Sequence, residues 1–155
     1  MSDHVHEITE WLFERWLPDF PIAVVEGFAG VGKSTALRQY FKAWPGPKAM
    51  IPLVEHPLYE EFLLGVLSEI EMAGLANVSE GPDLESNIVR AVQNDGLLLV
   101  LDNFESQLDA DGLVVSAELR QLLARLAAIH SGRACIVSSR SRVRTIGRRG
   151  FSIEL

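Results

Sequence analysis

Cysteine is almost missing from this sequence. Cys135 stands alone, which excludes an internal disulfide and fits a reducing compartment. No apolar run approaches the roughly 18 residues that a bilayer span requires. The opening MSDHVHEITEW lacks the basic and then apolar layout of a signal peptide, so a cytoplasmic protein without membrane partners is expected. An excess of positive charge is missing too: 14 Lys and Arg against 21 Asp and Glu leave a net −7, which argues against a general nucleic-acid or membrane-surface binder. The total hides an asymmetry. Residues 1–132 hold 20 acidic and 8 basic side chains, a net −12, whereas residues 133–155 hold 1 and 6, a net +5.

What is present is the composition of a folded protein: 155 residues, 48% apolar and 23% charged, enough for one compact domain. Residues 3–17 place Val5, Ile8, Leu12 and Trp16 near helical spacing, and residues 1–19 are assigned to an N-terminal helix or linker, with the core domain over 20–155. PIAVVE (21–26) reads as a buried strand and STALRQYFKAW (34–44) as the helix after it. AMIPLV (49–54) is a second strand, pushed toward a sheet edge by Pro52. Residues 57–73 form a helix whose apolar face is Leu58, Phe62, Val66, Leu67 and Ile70. Asp83 caps a helix running to about Asn94. LLLVL (97–101) is apolar at every position, as a strand covered on both faces must be. Residues 114–130 read as a helix, ACIVSS (134–139) as another buried strand, and FSIEL (151–155) as a last one. Strands alternating with helices predict an α/β three-layer fold with a five-stranded parallel sheet flanked by helices.

GFAGVGKS, Gly27 to Ser34, matches GxxxxGK(S/T) and lies between a strand and a helix. Gly30 and Gly32 allow backbone conformations that let successive N–H groups converge on phosphate oxygens, with Val31 between them. The helix N-terminus adds its positive end to that field. Lys33 would reach the β- and γ-phosphates, Ser34 would hold Mg²⁺ and Thr35 could approach the α-phosphate. The bland alternative, a glycine-rich turn that only caps a helix, is hard to reconcile with so complete a match in this context.

LLLVLD ends a buried strand with Asp102, the layout of a Walker B carboxylate that holds the Mg²⁺ shell; the alternative is a strand-ending aspartate that starts a turn. Many ATPases follow that aspartate with a glutamate that polarises water. Asn103 stands there instead, so slow turnover is expected. Glu105 is a candidate for the same task, with an exposed loop glutamate as the equal alternative. Arg140 follows the strand ACIVSS at the edge expected to face Gly27 and Asp102, where a guanidinium could sense a γ-phosphate; otherwise it is a surface arginine opening a loop. Arg142, Arg144, Arg148 and Arg149 read as a solvated basic loop, a lid over phosphates or a partner contact. No aromatic residue is interleaved with them as nucleic-acid binding would favour.

GFAGVGKST, LLLVLDNFES and ACIVSSR, in this order and spacing, resemble the nucleotide-binding core of STAND-class P-loop NTPases, the class of NB-ARC and NACHT proteins. The resemblance covers residues 20–155. It implies an ATP/ADP switch with Mg²⁺, in which Lys33 and Ser34 are phosphate and metal ligands, Asp102 is the Walker B acid and Arg140 the γ-phosphate sensor. It implies a sheet in which the Asp102 strand and the Cys135 strand are neighbours, with the latter beside the phosphate-loop strand. It also implies further domains or subunits of a larger signalling protein, since the helical subdomain and winged helix of that class are not in this sequence. Three other functions stay open: an ATPase motor with Glu105 activating water, a small-molecule kinase closed by an arginine lid, and a scaffold that no longer binds nucleotide.

Overall fold

A computed structural model describes residues 21–27, 33–53, 58–72, 83–129, 134–141, 143–144 and 150–154. The helix expected within residues 1–19 lies outside them. The elements run β1 (Ile22–Glu26), α1 (Lys33–Ala43), β2 (Lys48–Pro52), α2 (Tyr59–Met72), α3 (Leu84–Asp95), β3 (Leu98–Asp102), a 3-10 turn (Phe104–Gln107), α4 (Ala117–Ala127), β4 (Cys135–Ser139) and β5 (Gly150–Glu154). One sheet holds the strands in the order β2-β3-β4-β1-β5, and every neighbouring pair is parallel. The Asp102 strand is therefore beside the Cys135 strand, and the Cys135 strand beside β1.

Alternation along the central strands explains why their sequences are apolar throughout. Leu99 and Leu101 of β3 pack with α2, α3 and α4 on one face, around Val66, Ile70, Ile88, Leu122 and Leu126. Leu98 and Val100 pack on the other with Ala36, Leu37 and Tyr40 of α1. The sheet is thus a middle layer between α1 and the other three helices. All four of these β3 side chains are fully buried, and each such residue contributes about 1.5–3 kcal/mol through the water it sheds.

Two expectations on element ends are corrected. Leu58 does not join the α2 face: it precedes the helix and is 69% exposed, and the buried set is Phe62, Leu63, Val66, Leu67 and Ile70. The 114–130 helix starts later, at Ala117, because the Ser116 hydroxyl accepts the Leu119 N–H at 3.1 Å as an N-cap. Val114 instead bridges Leu108 in antiparallel fashion. Asp83 does cap α3, accepting from the Glu85 N–H at 3.2 Å, and Gly96 closes that helix at φ 71°, a left-handed conformation glycine adopts freely. Pro52 lies in the edge strand. Leu53 donates to Asp102 and Leu98 to Pro47, so the odd-numbered residues of β2 face β3 and Pro52 faces outward, where its missing N–H costs no ladder bond.

The helices are tied together by polar contacts. Buried Glu85 of α3 accepts from Arg125 Nη1 of α4 at 2.7 Å, from Gln121 Nε2 at 3.4 Å and from the Tyr59 hydroxyl of α2. At the other face, Lys48 Nζ donates to the carbonyls of Phe41 (2.8 Å), Lys42 (3.3 Å) and Trp44 (3.4 Å), closing the C-terminal end of α1 with a positive charge. Burial, and then the Glu85 carboxylate it donates to, raise the Tyr59 phenol well above its ordinary value of 10.0. The folded state thus favours the protonated phenol, so this contribution is complete below the ordinary tyrosine range and is lost as pH rises beyond it. Stability to urea should accordingly fall as pH climbs past about 10, and Tyr59→Phe should flatten part of that fall. An unchanged slope would contradict the assignment.

Candidate functional site

The connections that leave β1 and β4, which lie side by side and parallel, step across the sheet in opposite directions. From β1 the chain runs out to the far edge at β2 and walks back through β3 to β4; from β4 it crosses β1 to reach β5. In open parallel sheets such a switch opens a crevice beyond the carboxyl ends of the two strands. The GFAGVGKS loop leaves β1 there. Its Gly30, Val31 and Gly32 lie outside the described residues; Gly27 follows β1, while Lys33 and Ser34 open α1 and Thr35 is exposed in its first turn.

Pairing fixes the heights of the neighbouring groups. Leu101 pairs with Val137, so Asp102 ends β3 in the row of Ser138 and Val25. Leu98 and Val100 face α1, so Asp102, two residues on, lies on the α1 side of the sheet, half-buried. Its Oδ1 accepts the Asn103 N–H at 2.9 Å. One row higher, buried Glu26 pairs with buried Ser139. Beyond that row, the Gly27 N–H donates to the Ser139 carbonyl at 3.1 Å, which fastens the first residue of the loop to the end of β4.

Immediately after Asp102 the chain turns through Asn103 at φ 56° and ψ 42°, the only non-glycine residue with positive φ among the described residues. Asparagine tolerates this conformation better than most residues. Phe104 then enters the core with no exposed surface, and the 3-10 turn swings Glu105 toward β4. Glu105 Oε1 accepts the Arg140 backbone N–H at 2.8 Å, and its Oε2 lies 3.8 Å from Arg140 Nε. Glu105 is thus not an exposed loop glutamate: its side chain keeps 17% of its surface, whereas that of Arg140 keeps 59%. Ser106 fastens the same turn to β2, donating its hydroxyl to the Leu53 carbonyl.

Asp102, Glu105, Arg140 and Gly27 gather at the carboxyl ends of β3, β4 and β1, with the start of α1 following the loop. Of the basic stretch, Arg142, Arg148 and Arg149 lie outside the described residues, and the Arg144 N–H donates to Gly112 at 2.8 Å. Residues 109–112 (DADG) form a turn in which Asp109 Oδ1 accepts from the Asp111 and Leu113 N–H groups. Cys135 is fully buried among apolar neighbours, and burial pushes its thiol up to about 12. The contribution of Glu26 and Ser139 to the crevice edge had no signal beyond their place at strand ends. A hydroxyl and a carboxylate, Ser34 and Asp102, are the hard oxygen donors that Mg²⁺ prefers.

No family model and no curated protein matches the sequence. Solved structures share its fold. One is the Signal Transduction ATPase with Numerous Domains (STAND) protein with a tetratricopeptide repeat sensor from Pyrococcus horikoshii, with a TM-score of 0.64 and 13% identity over 97% of this chain and 22% of that one. The ORC2 protein of Aeropyrum pernix, solved in ADPNP and ADP complexes, gives 0.60 and 18% over 97% of this chain and 46% of its own. Cdc6p from Pyrobaculum aerophilum gives 0.56 and 15% over 97% and 44%. At such identities the likeness is one of fold. The α/β arrangement with a parallel sheet is common to all, and this chain spans less than half the length of each.

The left-handed turn is open to test. Asn103→Ala should lose about 1 kcal/mol in urea denaturation, while Asn103→Gly should stay within about 0.5 kcal/mol of the parent. Equal stability of the alanine variant would contradict the conformation.

Proposed function

We propose that residues 20–155 form a P-loop nucleotide-binding module that holds ATP or ADP with Mg²⁺ and serves as a regulatory switch with slow hydrolysis, working beside other domains or subunits of a larger signalling protein. The observation that carries this reading is the convergence of three strand ends: the GFAGVGKS loop leaves β1, Asp102 ends β3 on the α1 side, and Arg140 directly follows the strand inserted between them. The shared fold with a STAND ATPase, and with a protein solved in ADPNP and ADP complexes, supports it.

In this reading the backbone from Gly27 through Gly30, Val31 and Gly32 to Lys33 surrounds the β-phosphate, and Thr35 lies toward the α-phosphate. The Lys33 ammonium neutralises the β- and γ-phosphates. Ser34 and Asp102 complete the shell of Mg²⁺, which when bound offsets phosphate charge. Arg140 contacts the γ-phosphate. Slow hydrolysis follows from Asn103, which cannot accept a proton from water where many ATPases carry a glutamate. A second reading, an AAA-like ATPase, is favoured by one observation: Glu105 is drawn to the end of β4 and largely sheltered, where it could activate water. A small-molecule kinase with an arginine lid gains no comparable support.

Fluorescent ATP and ADP should bind in the presence of Mg²⁺. Lys33→Ala should weaken triphosphate affinity about ten- to a hundredfold, the equivalent of losing a charge-assisted bond of ~1.5–3 kcal/mol. Unchanged affinity would overturn the nucleotide assignment. Single-turnover hydrolysis of Glu105→Gln separates the two readings. A drop of about a hundredfold or more identifies a general base and favours the ATPase, and an unchanged slow rate favours the switch.

A further inference from the structure

A single peptide group stands between the start of the phosphate loop and Glu105. In a parallel strand successive residues turn their backbone groups to alternate neighbours, and β4 has β1 on one side and β3 on the other. The Ser139 carbonyl faces β1 and accepts from the Gly27 N–H at 3.1 Å; the N–H of the same peptide unit, that of Arg140, faces the β3 side and donates to Glu105 at 2.8 Å. Because the chain leaves β3 at Asn103, no strand is there to receive the Arg140 N–H, and the Glu105 carboxylate takes the place of the next rung. Its second oxygen lies near the Arg140 guanidinium, which is itself mostly exposed.

Resting on the nucleotide reading above, we propose that Glu105 is a latch on the Ser139–Arg140 peptide that distinguishes triphosphate from diphosphate. With the site empty or holding ADP, the carboxylate stays on the Arg140 N–H with the guanidinium beside it. A γ-phosphate offers that guanidinium a more highly charged partner with bidentate geometry, and an ion pair at 3.8 Å whose arginine is mostly exposed is easily surrendered. Glu105 then lacks its counter-charge next to a phosphate of the same sign, and the repulsion drives it off the N–H. Its departure frees the 3-10 turn, whose Ser106 is bonded to Leu53 just after β2, so the difference of one phosphoryl group reaches the edge strand of the sheet.

Amide hydrogen exchange of the full chain, followed by NMR, tests this directly. The Gly27 and Lys33 amides report occupancy of the site in the same spectra. With Mg²⁺ and ADP the Arg140 amide should exchange slowly. With Mg²⁺ and a non-hydrolysable ATP analogue it should exchange at least about tenfold faster, approaching the rate in Glu105→Ala. Glu105→Gln, which keeps an acceptor but no charge, should exchange slowly with either nucleotide. If both nucleotides bind and the Arg140 amide is equally slow in each, the latch is wrong and the binding module stands. If the analogue speeds exchange in Glu105→Gln as much as in the parent chain, charge is not what opens it and the proposal is likewise overturned. Absence of any response at Gly27 and Lys33 would remove the nucleotide reading and the latch with it.

Discussion

The insertion of β4 between β1 and β3 constrains everything else in this molecule. Had β3 paired with β1 directly, Asp102 would stand one strand nearer the glycine-rich loop and no peptide group would intervene. With β4 in the middle, its last residues become the common border of two chain segments that never pair with each other. Ser139 receives the loop on one side, and Arg140 receives Glu105 on the other. The insertion is stable because β4 is apolar on both faces: Ile136 packs toward α1, Cys135 and Val137 toward the three-helix layer.

The rest of the fold holds that border still. On one face, Lys48 closes the far end of α1 and the indole of Trp44 donates to Gly96 at 3.3 Å, so this helix is fastened at the end away from the crevice. On the other, the Glu85 carboxylate collects donors from two neighbouring helices, and the Arg125 side chain that pairs with it also reaches Ser86 at 3.1 Å. Removing one member of such a half-buried set leaves the others with unmet charge, which is why these contacts resist piecemeal change. The weakest charged contact described, Arg140 with Glu105 at 3.8 Å, sits at the carboxyl ends of the strands.

How much of this was legible in the sequence depended on whether the signal was local. Continuous apolar runs announced β1, β3 and β4 because burial on both faces admits nothing else. Pro52 announced an edge strand because only an outward-facing position tolerates its missing donor, and Asp83 announced a helix start because its carboxylate meets the first free N–H groups. Leu58 misled, since helical spacing extended past the true start of α2 made an exposed residue look like core. Residues 114 and 115 misled in the same way, where the Ser116 cap outweighed the apolar run before it. The position of Glu105 was illegible. It depends on a left-handed Asn103 and on Phe104 finding a core pocket, and the partner it reaches lies 35 residues further along the chain. Spacing within a motif could nominate Glu105 as a candidate but could not say which strand end would hold it.

The outward row of β2 has a bearing on how this chain behaves in company. Lys48, Met50 and Pro52 turn their backbone groups away from β3, so an incoming strand from another molecule would find a residue without a donor at the end of that row. Such an edge is a poor template for intermolecular β-pairing, and proteins commonly guard edges with a proline placed in this way. Pro52 therefore does double duty. Replacing it with a β-branched residue would lengthen the strand and, in the same stroke, open a docking rail for aggregation.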